Sequence, residues 1–221
     1  MILCIGDILD RAALADLRNT VAAGVFVDGV LTSGWASRLV KNNEQLGAGP
    51  ALEAAQQKIV AALKANNVFS SAVMPRRFAP ALFARYVPGM EFGTHMDNPL
   101  MGPDHMRADV SVTIFLSEPD DYDGGELVME TSGGEAAYKL AAGSAIAYPT
   151  TVLHRVEPVT RGLREVAVTW AQSLVRSAEQ REIIFDLDRT ARSIFERDGK
   201  SQEFELINKS SANLKRMWVD S

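Results

Sequence analysis

The chain has 221 residues, 47% of them hydrophobic and 23% charged, which fits one large globular domain or one domain with a small appendage. A net charge of −5 argues against a surface built to neutralise phosphates, and no apolar run approaches the roughly 20 residues that span a bilayer, so neither nucleic-acid nor membrane partners are expected. The opening "MILCIGDILDRAALADLRN" has no basic leader before an apolar core, and Cys4 has no second cysteine to pair with, so a cytoplasmic, reducing setting is expected.

In chain order, "DILDRAALADLRNTVAAG" places Leu9, Ala13, Leu14, Leu17 and Val21 on one helical stripe, with Gly24 as a stop. "GPALEAAQQKIVAALKANN" repeats the pattern through Leu52, Ala55, Ile59, Ala62 and Leu63. From about Phe78 the period changes to short alternating runs broken by Gly, Pro and Asp: "ALFARYV", "ADVSVTIFLS", "GELVME", "GSAIAYP" and "REVAVTWAQSLV". Regularly spaced short strands of this kind predict a sandwich or barrel. After about Ser177 a helical stripe returns through Ile184, Leu187, Ala191, Ile194 and Phe195, and a further helix is expected around Leu214 to Trp218. The expected plan is mainly β with flanking helices. Residues 1–77 form an N-terminal helical support, 78–177 the core, and 178–221 a helical extension able to brace the core or build a homo-oligomer contact.

The chain has only three histidines, and "YVPGMEFGTHMDNPLM" sets His95 one residue from Asp97. Two readings stand. Asp97 caps a turn with Asn98 and Pro99 while His95 makes an ordinary hydrogen bond. Alternatively both side chains, on one face of a strand, converge on a metal. His105 lies in a loop-like stretch and is expected to be solvated. His154, between two strand-like runs, is the better third ligand. Two imidazoles and one carboxylate leave half of an octahedron open, as in non-haem Fe(II) oxygenases. Ten residues on, Arg164 shares a strand face with Val166, Val168 and Trp170. A charge on such a face needs a partner, and a planar guanidinium suits a carboxylate. A strand-end arginine reaching solvent is the alternative.

The ordered segments "RYVPGMEFGTHMD", "DVSVTIFLSEP", "YDGGELVME" and "KLAAGSAIAYPTTVLHRVEPVTRGLREVAVTW" resemble the prolyl 4-hydroxylase-like Fe(II)/2-oxoglutarate dioxygenases, and more narrowly the bacterial PKHD-type hydroxylases, the PiuC/YbiX group. The resemblance covers most of the chain. It implies a double-stranded β-helix (jelly-roll) core, with Fe(II) held by His95, Asp97 and His154 and 2-oxoglutarate anchored by Arg164. Tyr86 matches a place where related enzymes use a tyrosine toward 2-oxoglutarate, although core packing accounts for it equally well. Thr113, on the opposite strand face from Val112 and Ile114, is a further candidate toward the co-substrate. Gly124 and Gly125 read as turn-formers and carry no assigned chemistry. The implied reaction is hydroxylation of a C–H bond with O2 and 2-oxoglutarate, releasing succinate and CO2, with L-ascorbate as a possible reductant. The substrate is a small molecule or peptide, and the group's association with iron uptake suggests a siderophore-related one.

Two rivals remain. An AlkB-like nucleobase demethylase shares the four residues but calls for a basic or aromatic nucleic-acid surface. A non-catalytic cupin-like metal-binding module has no use for Arg164. "MPRRFAP" places Arg76 and Arg77 just before the core, where a solvated basic edge is the expected role.

Overall fold

The computed structural model describes residues 1–220. The elements run β1 (Leu3–Ile5), α1 (Arg11–Ala22), β2 (Phe26–Asp28), β3 (Lys41–Asn42), β4 (Glu44–Leu46), α2 (Pro50–Ala65) and α3 (Asn67–Val73). The strand-rich middle follows with β5 (Pro75–Phe78), β6 (Leu82–Tyr86), β7 (Glu91–His95), β8 (Leu100–Met101), β9 (Met106–Arg107), β10 (Val110–Phe115), β11 (Tyr122–Gly124) and β12 (Leu127–Thr131). It continues through β13 (Gly134–Tyr138), β14 (Ala145–Pro149), β15 (His154–Val156), β16 (Val159–Gly162) and β17 (Arg164–Ser173), before α4 (Ala178–Asp198) and α5 (Gln202–Trp218).

Among the described residues the strands form two principal antiparallel sheets. The larger has the order β1-β14-β10-β17-β6-β4-β2, with β5 pairing β17, and the smaller has the order β13-β12-β15-β7-β3. They face each other as a jelly roll, as the resemblance implied. Strand alternation divides the labour of the large sheet. Val110, Val112 and Ile114 of β10, Phe83 of β6 with Ala81 just before it, and Ala145 and Ala147 of β14 join one apolar core, which includes Leu17 and Val21 of α1 and Ala55, Ile59 and Leu63 of α2. The intervening residues, among them Thr113, Ala84, Tyr86 and Tyr148, line the space between the sheets. The β10, β14, β6 and β17 strands follow the alternation expected of them.

The first 77 residues hold more strand than their helical stripes suggested. β1, β2 and β4 extend the large sheet, and β3 edges the small one. These strands are two or three residues long, too short for a period to register in the sequence. β3 pairs with β7 while β4 pairs with β6, so residues 41–46 cross from one sheet to the other at one end of the sandwich.

The C-terminal helix is longer than expected, starting at Gln202 just after Ser201, whose hydroxyl caps it by accepting from the Phe204 amide. Its attachment to α4 is mixed: Ser211 is buried and donates to Asp188, Lys215 pairs with the same carboxylate at 2.7 Å, and the Phe195 and Phe204 rings meet with centroids 5.1 Å apart. Phe204, Ile207, Leu214 and Trp218 are half-buried along the same face, and Ser211 interrupts their stripe at its centre. On α4, Ile184 and Ala191 are buried, Leu187 and Ile194 half-buried, and Phe195 exposed. No helix among the described residues is long and apolar enough to cross a membrane.

Candidate metal and co-substrate site

His95 and His154 are register partners across β7 and β15, with ring centroids 4.3 Å apart. The ladder slips by one residue between that pair and the Val156–Phe92 pair, a bulge that brings Phe92 and His95 to the same side. Their rings stack at 3.6 Å. β7 stops at His95, so Asp97 is not the next in-line residue of a strand as expected. Asn98, which precedes Pro99, is confined to extended backbone, and the chain has left the ladder by Asp97. Its carboxylate is then fixed from the other sheet, accepting a hydrogen bond from the Ser111 hydroxyl of β10. Asp97 Oδ2 lies 3.9 Å from His154 Nε2.

One donor atom from each of His95, Asp97 and His154 falls within 4.8 Å of the others, a spacing one ion can share. The imidazoles are prepared for this role. His95 Nδ1 donates to the Gly93 carbonyl at 2.8 Å and His154 Nδ1 to the Val152 carbonyl at 2.9 Å. A carbonyl can only accept, so each Nδ1 carries the proton and each Nε2 presents its lone pair. Burial, followed by the neighbouring His154, holds the His95 pKa down to about 4, so its ring is neutral at pH 7. His105 lies exposed in its loop, away from this cluster, as expected. Arg77 pairs with Asp104 at 2.6 Å on an exposed edge.

The cluster opens into a cavity of about 310 Å³ between the sheets. Arg164, Val166, Val168 and Trp170 all line it, as the alternation of β17 requires. Arg164 is 1% exposed, so it does not reach solvent. Its Nε and Nη1 have no hydrogen-bond partner. Its guanidinium lies 4.8 Å from the ring centroid of Tyr86, its register partner on β6. A buried guanidinium with two unsatisfied donors is costly unless an anion arrives. A carboxylate, which accepts two parallel N–H bonds, fits that vacancy. Tyr86 and Thr113 line the same cavity, and burial raises the Tyr86 pKa, so its hydroxyl remains a donor.

Residues 81–172 match the model of the 2OG-Fe(II) oxygenase superfamily. A PKHD-type hydroxylase of Synechococcus sp. (strain JA-2-3B'a(2-13)) is 50% identical over 100% of both chains, and one from Acaryochloris marina is 49% identical over 100% of both. The chain belongs to the PKHD-type hydroxylase family. Solved structures share the fold: a Pseudomonas putida prolyl-4-hydroxylase aligns with TM-score 0.52 at 23% identity, covering 78% of this chain and 92% of that one. A prolyl hydroxylase from Trichoplax adhaerens, solved with a hypoxia inducible factor peptide, aligns with TM-score 0.55 at 14% identity, covering 77% and 82%. The enzyme is thus a 2-oxoglutarate-dependent oxygenase, whose family implies Fe(II), 2-oxoglutarate and O2.

Several residues of this oxygenase site escaped the sequence reading. Gly125 has φ +68°, and a Cβ there would lie 2.8 Å from Arg164 Cδ and 2.9 Å from Val159 Cγ2. The second glycine of "DGGEL" is therefore what lets the Arg164 side chain pass. Gly93 similarly admits Val40, whose Cβ would sit 2.9 Å from an added Cβ. Ser111 and Tyr148 face the site from the large sheet, and burial raises the Tyr148 pKa. Lys41, Asn43 and Gln45 line the cavity from the segment that crosses between the sheets. Their alternation in "KNNEQ" was the available signal, but polar residues on both faces of the run give a period of two nothing to stand out against.

Proposed function

We propose that the enzyme hydroxylates a C–H bond of a peptide or siderophore-related small molecule, with His95, Asp97 and His154 holding Fe(II) and Arg164 anchoring 2-oxoglutarate by its distal carboxylate. The observation that carries this reading is the buried, unsatisfied Arg164 guanidinium in the same cavity as a three-donor cluster. The donor set suits the ion: two neutral imidazoles and a carboxylate bind a divalent first-row metal and leave positions for a chelating co-substrate and O2. When bound, iron and 2-oxoglutarate supply the oxidation, with release of succinate and CO2.

The chain's own residues do the rest. The Gly93 and Val152 carbonyls fix each imidazole tautomer, and Ser111 orients Asp97. Tyr86 and Thr113 line the co-substrate's path toward Arg164. Val166, Val168 and Leu127 make the walls apolar, which excludes water and strengthens the charged contacts inside. L-ascorbate is the proposed reductant that maintains the metal as Fe(II). The lone Cys4 agrees with a cytoplasmic setting.

Fe(II) and then 2-oxoglutarate, added without oxygen to the purified apo-protein, should raise a visible charge-transfer band. The band should be absent in His154→Ala and weakened in Arg164→Ala. A folded wild type that binds iron and gives no band with 2-oxoglutarate refutes the assignment. It would leave a cupin-like metal-binding module as the better account.

A further inference from the structure

Arg164 is not the only buried cation in this cavity. Lys41, on β3, is 8% exposed and lines the same space. Its Nζ donates to Thr32 Oγ1 at 3.1 Å and lies 5.3 Å from the centroid of Phe92, the ring stacked on His95. Among the described residues no carboxylate comes within the 4.0 Å of an ion pair. The acids that act on it from further away are Asp28 and Asp97. Asp97 is already engaged by Ser111 and belongs to the metal cluster.

An ammonium has three donors, and the Thr32 hydroxyl takes one of them. Thr32 in turn donates to Gln45 Oε1. That chain fixes where Lys41 points and leaves its charge with no carboxylate in ion-pair contact among the described residues. A buried charge in this state is tolerated when an anion completes it. The co-substrate cannot do so while it occupies Arg164. Among the charged groups that line the cavity, Asp97 and the two carboxylates of 2-oxoglutarate formally balance a divalent metal and Arg164, so Lys41 remains as the unmatched cation there.

We propose that Lys41 is the anchor for a carboxylate on the prime substrate, and that the segment crossing between the sheets sets the enzyme's preference for anionic over neutral substrates. The proposal rests on the iron and 2-oxoglutarate reading above, because it assigns the co-substrate to Arg164. Thr32 acts through Lys41 as a positioning residue. Lys41 selects what is oxidised and takes no part in the oxidation.

The test uses a matched pair of probes, N-acetyl-L-leucine and N-acetyl-L-leucinamide, which differ in the carboxylate. Each is titrated without oxygen into full-length protein loaded with Fe(II) and saturating 2-oxoglutarate, and followed by calorimetry and by the shift of the visible band. Wild type should bind the acid at least about tenfold more tightly than the amide, the size of a single charge-assisted contact. Lys41→Met should erase the preference, and Lys41→Arg, which keeps the charge, should retain part of it. All three proteins should bind 2-oxoglutarate equally, which also reports that each is folded. Equal binding of acid and amide by wild type overturns the proposal, as does no binding of the acid or a preference that survives in Lys41→Met. A loss of 2-oxoglutarate affinity in Lys41→Met would overturn it by moving Lys41 to the co-substrate. Failure of the underlying reading looks different, because wild type then shows no band before any probe is added.

Discussion

Replacing Arg164 with methionine should separate the needs of the fold from the needs of the site. In the apo-protein the guanidinium is buried and its Nε and Nη1 bond to nothing, so it is a net burden apart from its stacking on Tyr86. That stacking is worth about 1 kcal/mol, while an unpaired buried charge costs several kcal/mol. The methionine side chain occupies much of the same volume without the charge. Apo stability in Arg164→Met should therefore hold or rise, whereas removing a large buried side chain usually lowers it. Co-substrate binding should move the opposite way. Two charge-assisted hydrogen bonds lost at about 1.5–3 kcal/mol each amount to a drop in 2-oxoglutarate affinity on the order of a hundredfold to ten-thousandfold. Urea unfolding of the apo-protein reads the first quantity, and anaerobic titration of the visible band at fixed Fe(II) reads the second. An apo stability lower by more than about 2 kcal/mol would show that the guanidinium has a structural role in the empty cavity. A 2-oxoglutarate affinity within about threefold of wild type would show that Arg164 is not the anchor.

Gly125→Ala should weaken 2-oxoglutarate binding and cost about 1–3 kcal/mol in urea unfolding, because it combines a positive φ with a Cβ pressed against Arg164 Cδ; wild-type affinity would show that Arg164 has room to spare. Ser111→Ala leaves Asp97 free to turn, so Fe(II) affinity should fall about tenfold in an anaerobic competition assay while 2-oxoglutarate affinity at saturating iron is retained. The depressed pKa of His95 predicts the acid response of the apo-protein. With a folded pKa of about 4 against an ordinary value of 6.5, the unfolded chain takes up a proton that the folded one does not, so the stabilisation is whole above pH 6.5 and drains away as pH falls toward 4. The loss should be on the order of 3 kcal/mol in urea midpoints between pH 7 and pH 4, and His95→Phe should flatten that slope. An unchanged slope in the variant would place the acid sensitivity elsewhere.

The parts legible in the sequence are those where one physical rule acts along a continuous run. β10 and β17 alternate cleanly because each strand has one face in the helical core and one in the cavity, so Arg164 could be set on the same side as Trp170 before any coordinates. The stripes of α1 and α2 are legible for the same reason, since Leu17, Val21, Ala55, Ile59 and Leu63 all enter one apolar cluster. What escaped depends on pairings between distant segments. The bulge that turns Phe92 toward His95 exists because β15 slips against β7. Gly125 looks like any turn glycine until Arg164, thirty-nine positions later in the chain, is seen to pass across it. Asp97 was placed in a strand it does not occupy, yet it reaches the cluster, because Ser111 of the opposite sheet holds it there.

The distribution of polar groups across the large sheet then gives the fold its functional logic. One face is committed to stability: Val112, Ile114, Ala145 and Ala167 are fully buried in the core shared with α1 and α2 and carry no chemistry. The other face carries a guanidinium with unsatisfied donors, and across the same cavity β3 of the small sheet adds an ammonium bonded only to the Thr32 hydroxyl, both of which weaken an empty protein. Burial makes the same groups selective, because in a dry cavity a charge gains most from a ligand that completes it. The apo-protein is thus less stable than its core alone would allow, and each binding event relieves part of that deficit. Fe(II) and 2-oxoglutarate together should therefore raise the unfolding midpoint by more than the sum of their separate effects. The metal chelates one end of the co-substrate while Arg164 holds the other, and neither contact is complete without its partner. Thermal scans with Fe(II) alone, 2-oxoglutarate alone and both, run without oxygen, decide the point. Strictly additive shifts would mean that the two ligands bind independently and would refute this picture of a shared, charge-balanced site.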